Sequence, residues 1–197
     1  MTNPFFNLSS AIQNGMPIDE IEQKLNGLSQ ENRVEQSRSL GPRDQVSLWT
    51  LCEGRAATLD QIVPLDRCGS TVRHLGRNTL PAFKIFEKQF YRSSPESLDL
   101  WGFNEGPTRK LVGPGYFVCH LSDQPERGMV VINYERLPPE APEGWPEIKP
   151  NEAGISRVVY AYMHDYLRRV SDHVTIGRAY RKGKESSNYF TLCRWDD

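Results

Sequence analysis

A series of short segments after residue 98 has the pattern of β-strands, and this pattern restricts the fold more than any other feature. Apolar residues either alternate with polar ones or run together in segments 98–103, 116–121, 129–134, 174–180 and 188–195. Successive residues of a strand face opposite sides, so such segments predict strands that bury at least one face. Turn-forming residues separate the neighbouring segments, which favours antiparallel pairing. We therefore predict an antiparallel sheet of about five strands.

The first quarter of the chain carries helical signals instead. Apolar residues repeat at helical spacing after Asp19, a residue type that caps helix N-termini. Ser29 can cap a second helix, and Pro42 suits the first position of a third. The third helix would place Trp49 in the core, because so large a side chain is usually buried. We expect three short helices before residue 55.

Two further helices and a long loop are expected in the remainder. Segment 81–92 places three phenylalanines at helical spacing and would leave Lys88 on the solvent side. Segment 155–170 has the longest helical pattern and should pack on the sheet. Segment 137–151 contains five prolines, so it is expected to be a surface loop, packed by Trp145.

These signals together predict an α+β fold. N-terminal helices would precede an antiparallel sheet of about five strands, and a long C-terminal helix would pack against that sheet. The chain has 197 residues without a clear break in composition. We therefore expect a single domain over residues 1–197, with a helical part (1–55) and an α+β sheet part (56–197).

Composition excludes several classes of protein. No apolar segment approaches the roughly 20 residues that span a bilayer, and no secretory signal is recognisable, so we expect no membrane insertion and a cytoplasmic location. Cys52, Cys68, Cys119 and Cys193 are widely spaced, which predicts reduced thiols and neither a metal site nor a cofactor. A net charge of −1 argues against nucleic acid. Homo-oligomer formation is left open.

Basic and polar side chains cluster in the C-terminal part of the chain. Some would share one face of the predicted helix and others one face of the following strand. The arginine fork suits carboxylate and phosphate groups, and histidine or threonine adds directional hydrogen bonds. We therefore expect a small anionic or amphipathic ligand between sheet and helix. The candidate ligand-binding residues are His164, Arg168, His173, Thr175, Arg178 and Arg181.

Two tripeptides share the order histidine, apolar residue, hydroxyl residue. They are His120-Leu-Ser122 and His173-Val-Thr175. On strands, each would present an imidazole and a hydroxyl on one face. The pair resembles the motifs of the two-histidine phosphoesterases, which implies that the histidines act as general base and general acid on a phosphodiester, without a metal, while the hydroxyls hold the phosphate. Asp123 departs from the apolar residue that follows the motif in that family.

Three classes of function therefore stand open at the sequence level. A binding or accessory protein with an anionic or amphipathic ligand is favoured. A metal-independent phosphoesterase-like enzyme using His120 and His173 is the first alternative. A protein-interaction module is the second, and it would show an exposed apolar patch or a large symmetric interface. Whether the protein is an enzyme is not decided.

Overall fold

Antiparallel strands form a closed barrel in the computed structural model, which describes residues 6–81, 84–107, 109–152 and 154–196. Within these residues eight strands pair in chain order, and the last strand pairs with the first. Each strand therefore has two neighbours, and the sheet has no open edge. The strands are β1 (Thr71–Asn78), β2 (Ile85–Tyr91), β3 (Asp99–Glu105), β4 (Phe117–Leu121), β5 (Val130–Asn133), β6 (Met163–Arg169), β7 (Val174–Arg181) and β8 (Lys184–Trp195).

Helices before the barrel pack against its outer face, α3 on β1 and β8 and α4 on β7 and β8. As predicted, the Ser29 side chain caps α3 and Pro42 begins α4. Trp49 is buried, also as predicted. The described part of this region has one helix more than the expected three, because the first is too short to give a clear periodicity. These helices are α1 (Leu8–Gln13), α2 (Ile18–Asn26), α3 (Gln30–Ser39) and α4 (Pro42–Leu51).

The two ends of the barrel differ. At the closed end, where β1 begins, α5 (Leu59–Ile62) contributes to the core inside the barrel and a 3-10 helix (Leu65–Arg67) follows. At the open end, where β1 stops, two further short helices, α6 (Arg109–Val112) and α7 (Ser156–Tyr160), flank the barrel. None of the helices in the described ranges has both the length and the apolar character needed to cross a bilayer.

The predicted α+β fold is wrong, because the sheet has more strands and closes into a barrel. The long C-terminal helix is absent from the described residues, since segment 155–170 forms α7 and β6 instead. Tyr162 lies between these elements with a φ of 60°, which interrupts a right-handed helix. In β6, Leu167 is buried inside the barrel, whereas Tyr166 is buried on the outer side against Tyr180. A strand buried on both faces shows no clean alternation, so its pattern could be mistaken for a helix.

The predicted helix over segment 81–92 is wrong for a related reason. This segment contains β2, although Ala82 and Phe83 lie outside the described residues. Phe86 and Phe90 are four residues apart, and that spacing puts two side chains on one face of a helix and also on one face of a strand. The predicted solvent exposure of Lys88 is also wrong, because Lys88 is buried and its Nζ lies 5.5 Å from the centre of the Phe86 ring inside the barrel.

All five strand segments predicted from the sequence are strands in the structure, as β3, β4, β5, β7 and β8. The predicted hairpin between the second and third of them is the antiparallel pair β4–β5. Segment 137–151 contains neither helix nor strand, as predicted. Its Trp145 donates a hydrogen bond from Nε1 to Thr71 Oγ1 at 2.8 Å, so this loop is attached to the outside of the barrel.

Candidate ligand-binding site in the barrel

A cavity of about 530 Å³ lies at the open end of the barrel. Apolar side chains form most of its wall, among them Phe86 from β2, Met163 from β6 and Phe190 from β8, and Tyr160 of α7 covers one side. Pockets of about 300–1,000 Å³ are usual for small molecules. Barrels with eight strands are just wide enough to hold side chains or one small ligand, so this cavity is a credible binding site.

A buried lysine stands at the inner end of the cavity. Lys88 Nζ donates to Asn104 Oδ1 at 2.8 Å and to the Tyr134 hydroxyl, and it lies 3.5 Å from Asp165 Oδ2. The Tyr134 hydroxyl lies 3.3 Å from the same aspartate oxygen and donates to it. Lys88 and Asp165 line the cavity although only 2% and 3% of their surfaces are exposed. Lysine and aspartate are almost never buried so deeply unless they are paired.

Aromatic rings surround the Lys88 ammonium. Its Nζ lies 5.1 Å from the ring centres of Phe117 and Tyr134, 5.4 Å from Phe190 and 5.5 Å from Phe86. Cation–π attraction operates within about 6 Å of a ring centre. The rings therefore replace part of the hydration that the ammonium loses inside the barrel.

Glycines on the inner face of the barrel make room for these rings. A Cβ at Gly76 would lie 2.6 Å from the Phe86 ring, and one at Gly177 would lie 2.2 Å from the Phe190 ring. Gly102 approaches Phe117 in the same way, with a Cβ separation of 2.1 Å. Such separations are too short for any larger residue. The arrangement of rings around Lys88 thus depends on glycine in β1, β3 and β7.

Burial changes the protonation behaviour of this polar cluster. Loss of hydration lowers the pKa of Lys88 and raises the pKa of Asp165, while the attraction between the two groups opposes both shifts. Burial, together with the nearby Asp165, also raises the pKa of Tyr134 well above its ordinary value. Among the described residues, Asp165 Oδ1 has no hydrogen-bond partner. The cluster therefore keeps an unused acceptor beside the cavity.

The sequence-predicted ligand residues on β6 lie on the outside of the barrel. The Arg168 guanidinium lies 4.0 Å above the Trp49 ring, and its Nη1 donates to the Trp49 carbonyl at 2.9 Å. Arg168 Nη2 donates to the Glu126 carbonyl at 3.1 Å. His164 Nε2 lies 3.6 Å from Glu135 Oε2. Arg168 thus attaches α4 to the barrel.

The other predicted ligand residues are dispersed. His173 lies in the turn before β7, with Nδ1 2.8 Å from Asp196 Oδ2. Thr175 is buried, and its hydroxyl has no partner among the described residues. Arg178 donates to the Ser186 carbonyl at 3.0 Å. Arg181 does line the barrel cavity, where its Nη2 donates to carbonyls at the end of α7.

The residues of the phosphoesterase resemblance lie on different elements of the barrel. His120 lies on β4 with Nδ1 2.8 Å from the Leu121 carbonyl, and the Ser122 hydroxyl accepts from the Gln124 amide at 2.9 Å. His120 and His164 line one depression on the outer face of the barrel. His173 is not among the described residues that line it. Joint action of His120 and His173 on one phosphate therefore stays a prediction.

Four polar residues at the inner end of the cavity were not predicted from the sequence, namely Lys88, Asn104, Tyr134 and Asp165. The available signal was a lysine placed two residues after Phe86 and two before Phe90. With a period of two, this spacing puts the lysine on the same face as both rings. Nothing comparable marks Asp165, because its partner is distant in the sequence.

Comparison with known proteins adds no assignment. No family model, no curated protein and no solved structure matches this chain. The described residues contain no group of three or more His, Cys, Asp or Glu side chains placed to hold a metal ion. Interpretation of the site therefore depends on its geometry and chemistry.

Proposed function

We propose that the protein binds a small, mainly apolar molecule inside the barrel, with the polar end of that molecule beside Lys88 and Asp165. The supporting observation is a cavity of about 530 Å³ whose apolar wall encloses a buried lysine–aspartate pair. Ligand sites are typically apolar with a few well-placed polar groups. Apolar residues of similar size often stabilise a core as well as a buried ion pair does, so fold stability alone does not explain the pair.

The polar end of the ligand is best supplied by a hydroxyl group. Lys88 already has three acceptors within reach, whereas Asp165 Oδ1 has no donor among the described residues. Asp165 is a lining residue of the cavity, so its unpartnered oxygen is beside the space that a ligand would occupy. A neutral hydroxyl would provide the missing donor. A ligand carboxylate would add a second negative charge beside Asp165, which is unfavourable at low dielectric.

This proposal keeps the amphipathic ligand expected from the sequence but moves its site. The expected position between the sheet and a long C-terminal helix no longer applies, because that helix does not form. The cytoplasmic location and the formation of a homo-oligomer stay predictions.

The proposal is tested with N-phenyl-1-naphthylamine, a neutral probe whose fluorescence rises in apolar surroundings. We expect saturable binding of one probe per protein. Ala179 lines the cavity, so Ala179→Phe should weaken binding by at least about tenfold by filling it. Thr50→Phe adds the same ring on the exposed side of α4 and should have no effect. Absence of binding, or equal binding by a folded Ala179→Phe variant, would contradict the proposal.

Competition with ligands of equal chain length tests the polar end. 1-Dodecanol should displace the probe more effectively than methyl dodecanoate, which has no donor, and than dodecanoic acid, which carries a charge at neutral pH. The double variant Lys88→Met/Asp165→Leu keeps an apolar cavity and should lose the preference for the alcohol. If the acid were the strongest competitor for the wild-type protein, the hydroxyl assignment would be wrong.

A further inference from the structure

Exposed apolar side chains lie at or beside the opening of the cavity, where Ile85 and Val158 belong to the lining and Leu111 is next to the lining residue Val112. Val158 on α7 is 71% exposed and Leu111 on α6 is 68% exposed. Ile155, just before α7, and Ile85, at the start of β2, are exposed as well. Single exposed apolar residues are normal on protein surfaces, but a group of them on three elements around one opening indicates an interaction surface. We call these four residues the apolar rim.

The rim is part of an ordered arrangement. The Ser156 hydroxyl donates to the Val112 carbonyl and so joins α7 to α6. Arg181, the last residue of β7, donates from Nη2 to the carbonyls of Val158 and Val159 at 2.7 and 2.8 Å. Hydrogen bonds therefore attach both short helices to each other and to the barrel. The elements that carry the apolar rim are thus held together at the open end.

Basic residues border the apolar rim, whereas the whole chain has a net charge of −1. Among the acidic residues near this end, Glu105 pairs with Arg109 and Glu185 pairs with Arg178, each at 2.9 Å. Glu135 and Glu152 add two exposed negative charges. The open end therefore carries a local excess of positive charge. The exposed basic residues there are Lys84, Lys110, Arg157, Arg181, Lys182 and Lys184.

We propose that the apolar rim docks on an anionic lipid bilayer and that the ligand passes between the bilayer and the cavity at this contact. Apolar side chains bordered by lysine and arginine are the usual means by which proteins bind an anionic membrane surface. Exposing an apolar ligand to water costs free energy, and direct transfer from the bilayer to the cavity avoids that exposure. The passage of a ligand rests on the proposed function, whereas docking on the bilayer can be measured without any ligand.

Vesicle flotation tests the docking. Wild-type protein should float with mixed phosphatidylcholine–phosphatidylglycerol vesicles and much less with pure phosphatidylcholine, and the binding should weaken as salt is added. Leu111→Ser/Val158→Ser should reduce the affinity by at least about tenfold. Leu98→Ser is the matched control, because Leu98 is 76% exposed just before β3 at the closed end. Lys110→Glu/Arg157→Glu should remove the preference for anionic vesicles.

Three outcomes would overturn the docking proposal. These are no binding of the wild type to mixed vesicles, an equal loss of binding in Leu98→Ser, or a solution dimer that Leu111→Ser/Val158→Ser dissociates. The last result would assign the rim to a second copy of the chain. N-phenyl-1-naphthylamine binding without vesicles is measured in parallel. A wild-type protein that binds vesicles but not the probe contradicts the proposed function, and with it the passage of a ligand, but not docking. The reverse result contradicts docking and leaves the proposed function intact.

Discussion

Lys88 Nζ lies 3.5 Å from Asp165 Oδ2 inside a closed barrel of eight strands, within the described residues. The two residues are far apart in the sequence and are brought together by strands β2 and β6 on different sides of the barrel. Asn104 and Tyr134 complete the hydrogen bonding of the ammonium. Because neither charge reaches bulk water, each is compensated mainly by the other.

Removing the lysine of this pair should destabilise the fold. We expect Lys88→Met to lower the free energy of unfolding by about 3–5 kcal/mol, because Asp165 would be left buried without its partner. The double variant Lys88→Met/Asp165→Leu should recover most of that loss. Urea unfolding measures both changes, and Lys24→Met on the exposed side of α2 should stay within about 0.5 kcal/mol of wild type. A Lys88→Met variant as stable as the wild type would show that Asp165 does not need Lys88 as its partner.

His74 should make the stability depend on pH. Its Nε2 lies 2.9 Å from the Ile62 carbonyl, and burial lowers the pKa of His74 from 6.5 to about 4. The unfolded chain takes up this proton more readily than the folded protein. The contribution of neutral His74 to the free energy of unfolding is therefore complete above about pH 6.5. It is lost as the pH falls toward about 4, by up to about 1.4 kcal/mol per pH unit.

The test compares wild type with His74→Gln, which cannot take up the proton. Urea unfolding at about pH 7 and about pH 5 should show a smaller loss of stability for the variant. Some dependence should remain, because burial also lowers the pKa of His173. Equal losses in the two proteins would mean that His74 is not responsible.

Gly177 should not tolerate a side chain. A Cβ there would lie 2.2 Å from Phe190 Cζ, so we expect Gly177→Ala to cost about 1–3 kcal/mol through overpacking. Adding Phe190→Leu should recover part of this loss, since it removes the ring. Thermal unfolding checks the result, with Gly106→Ala as the control, because a Cβ at Gly106 meets no atom within 4 Å. A neutral Gly177→Ala would show that the ring can move away freely.

Arg168 should stabilise the fold without contributing to ligand binding. Arg168→Met would leave the carbonyls of Trp49 and Glu126 without this donor, and we expect a loss of about 1–3 kcal/mol in the free energy of unfolding. The affinity for N-phenyl-1-naphthylamine should not change, because Arg168 is outside the described lining of the cavity. Unchanged stability with weakened probe binding would support the ligand role predicted from the sequence.

The strands found from the sequence and those missed differ in their surroundings. Turn residues and short hairpins mark β3, β4, β5, β7 and β8, so local rules were sufficient to find them. In β2, Phe86 and Phe90 satisfy helical spacing as well as strand spacing. In β6, Tyr166 is buried on the outer side against Tyr180 while Leu167 is buried inside the barrel. Double burial removes the contrast between polar and apolar faces on which the prediction depends.

The candidate site was harder to predict than the strands. The residue types suggested a polar cluster between a helix and the following strand. The helix does not form, and most members of the cluster contact carbonyls or carboxylates elsewhere. Arg181 alone among those six is a described residue of the cavity lining. Polar side chains indicate chemistry in a sequence, but the partners that use up their hydrogen bonds are visible only in three dimensions.

The sequence by itself determined the local features of this protein. The cap at Ser29, the helix start at Pro42 and the β4–β5 hairpin depend on residues close together in the chain. Only the tertiary structure decided that β8 pairs with β1 to close the barrel, and that Lys88 meets Asp165, a residue 77 positions away. Local periodicity carries no information about contacts at such separations. For the same reason the sequence could not show whether Lys88 would face water or a buried carboxylate.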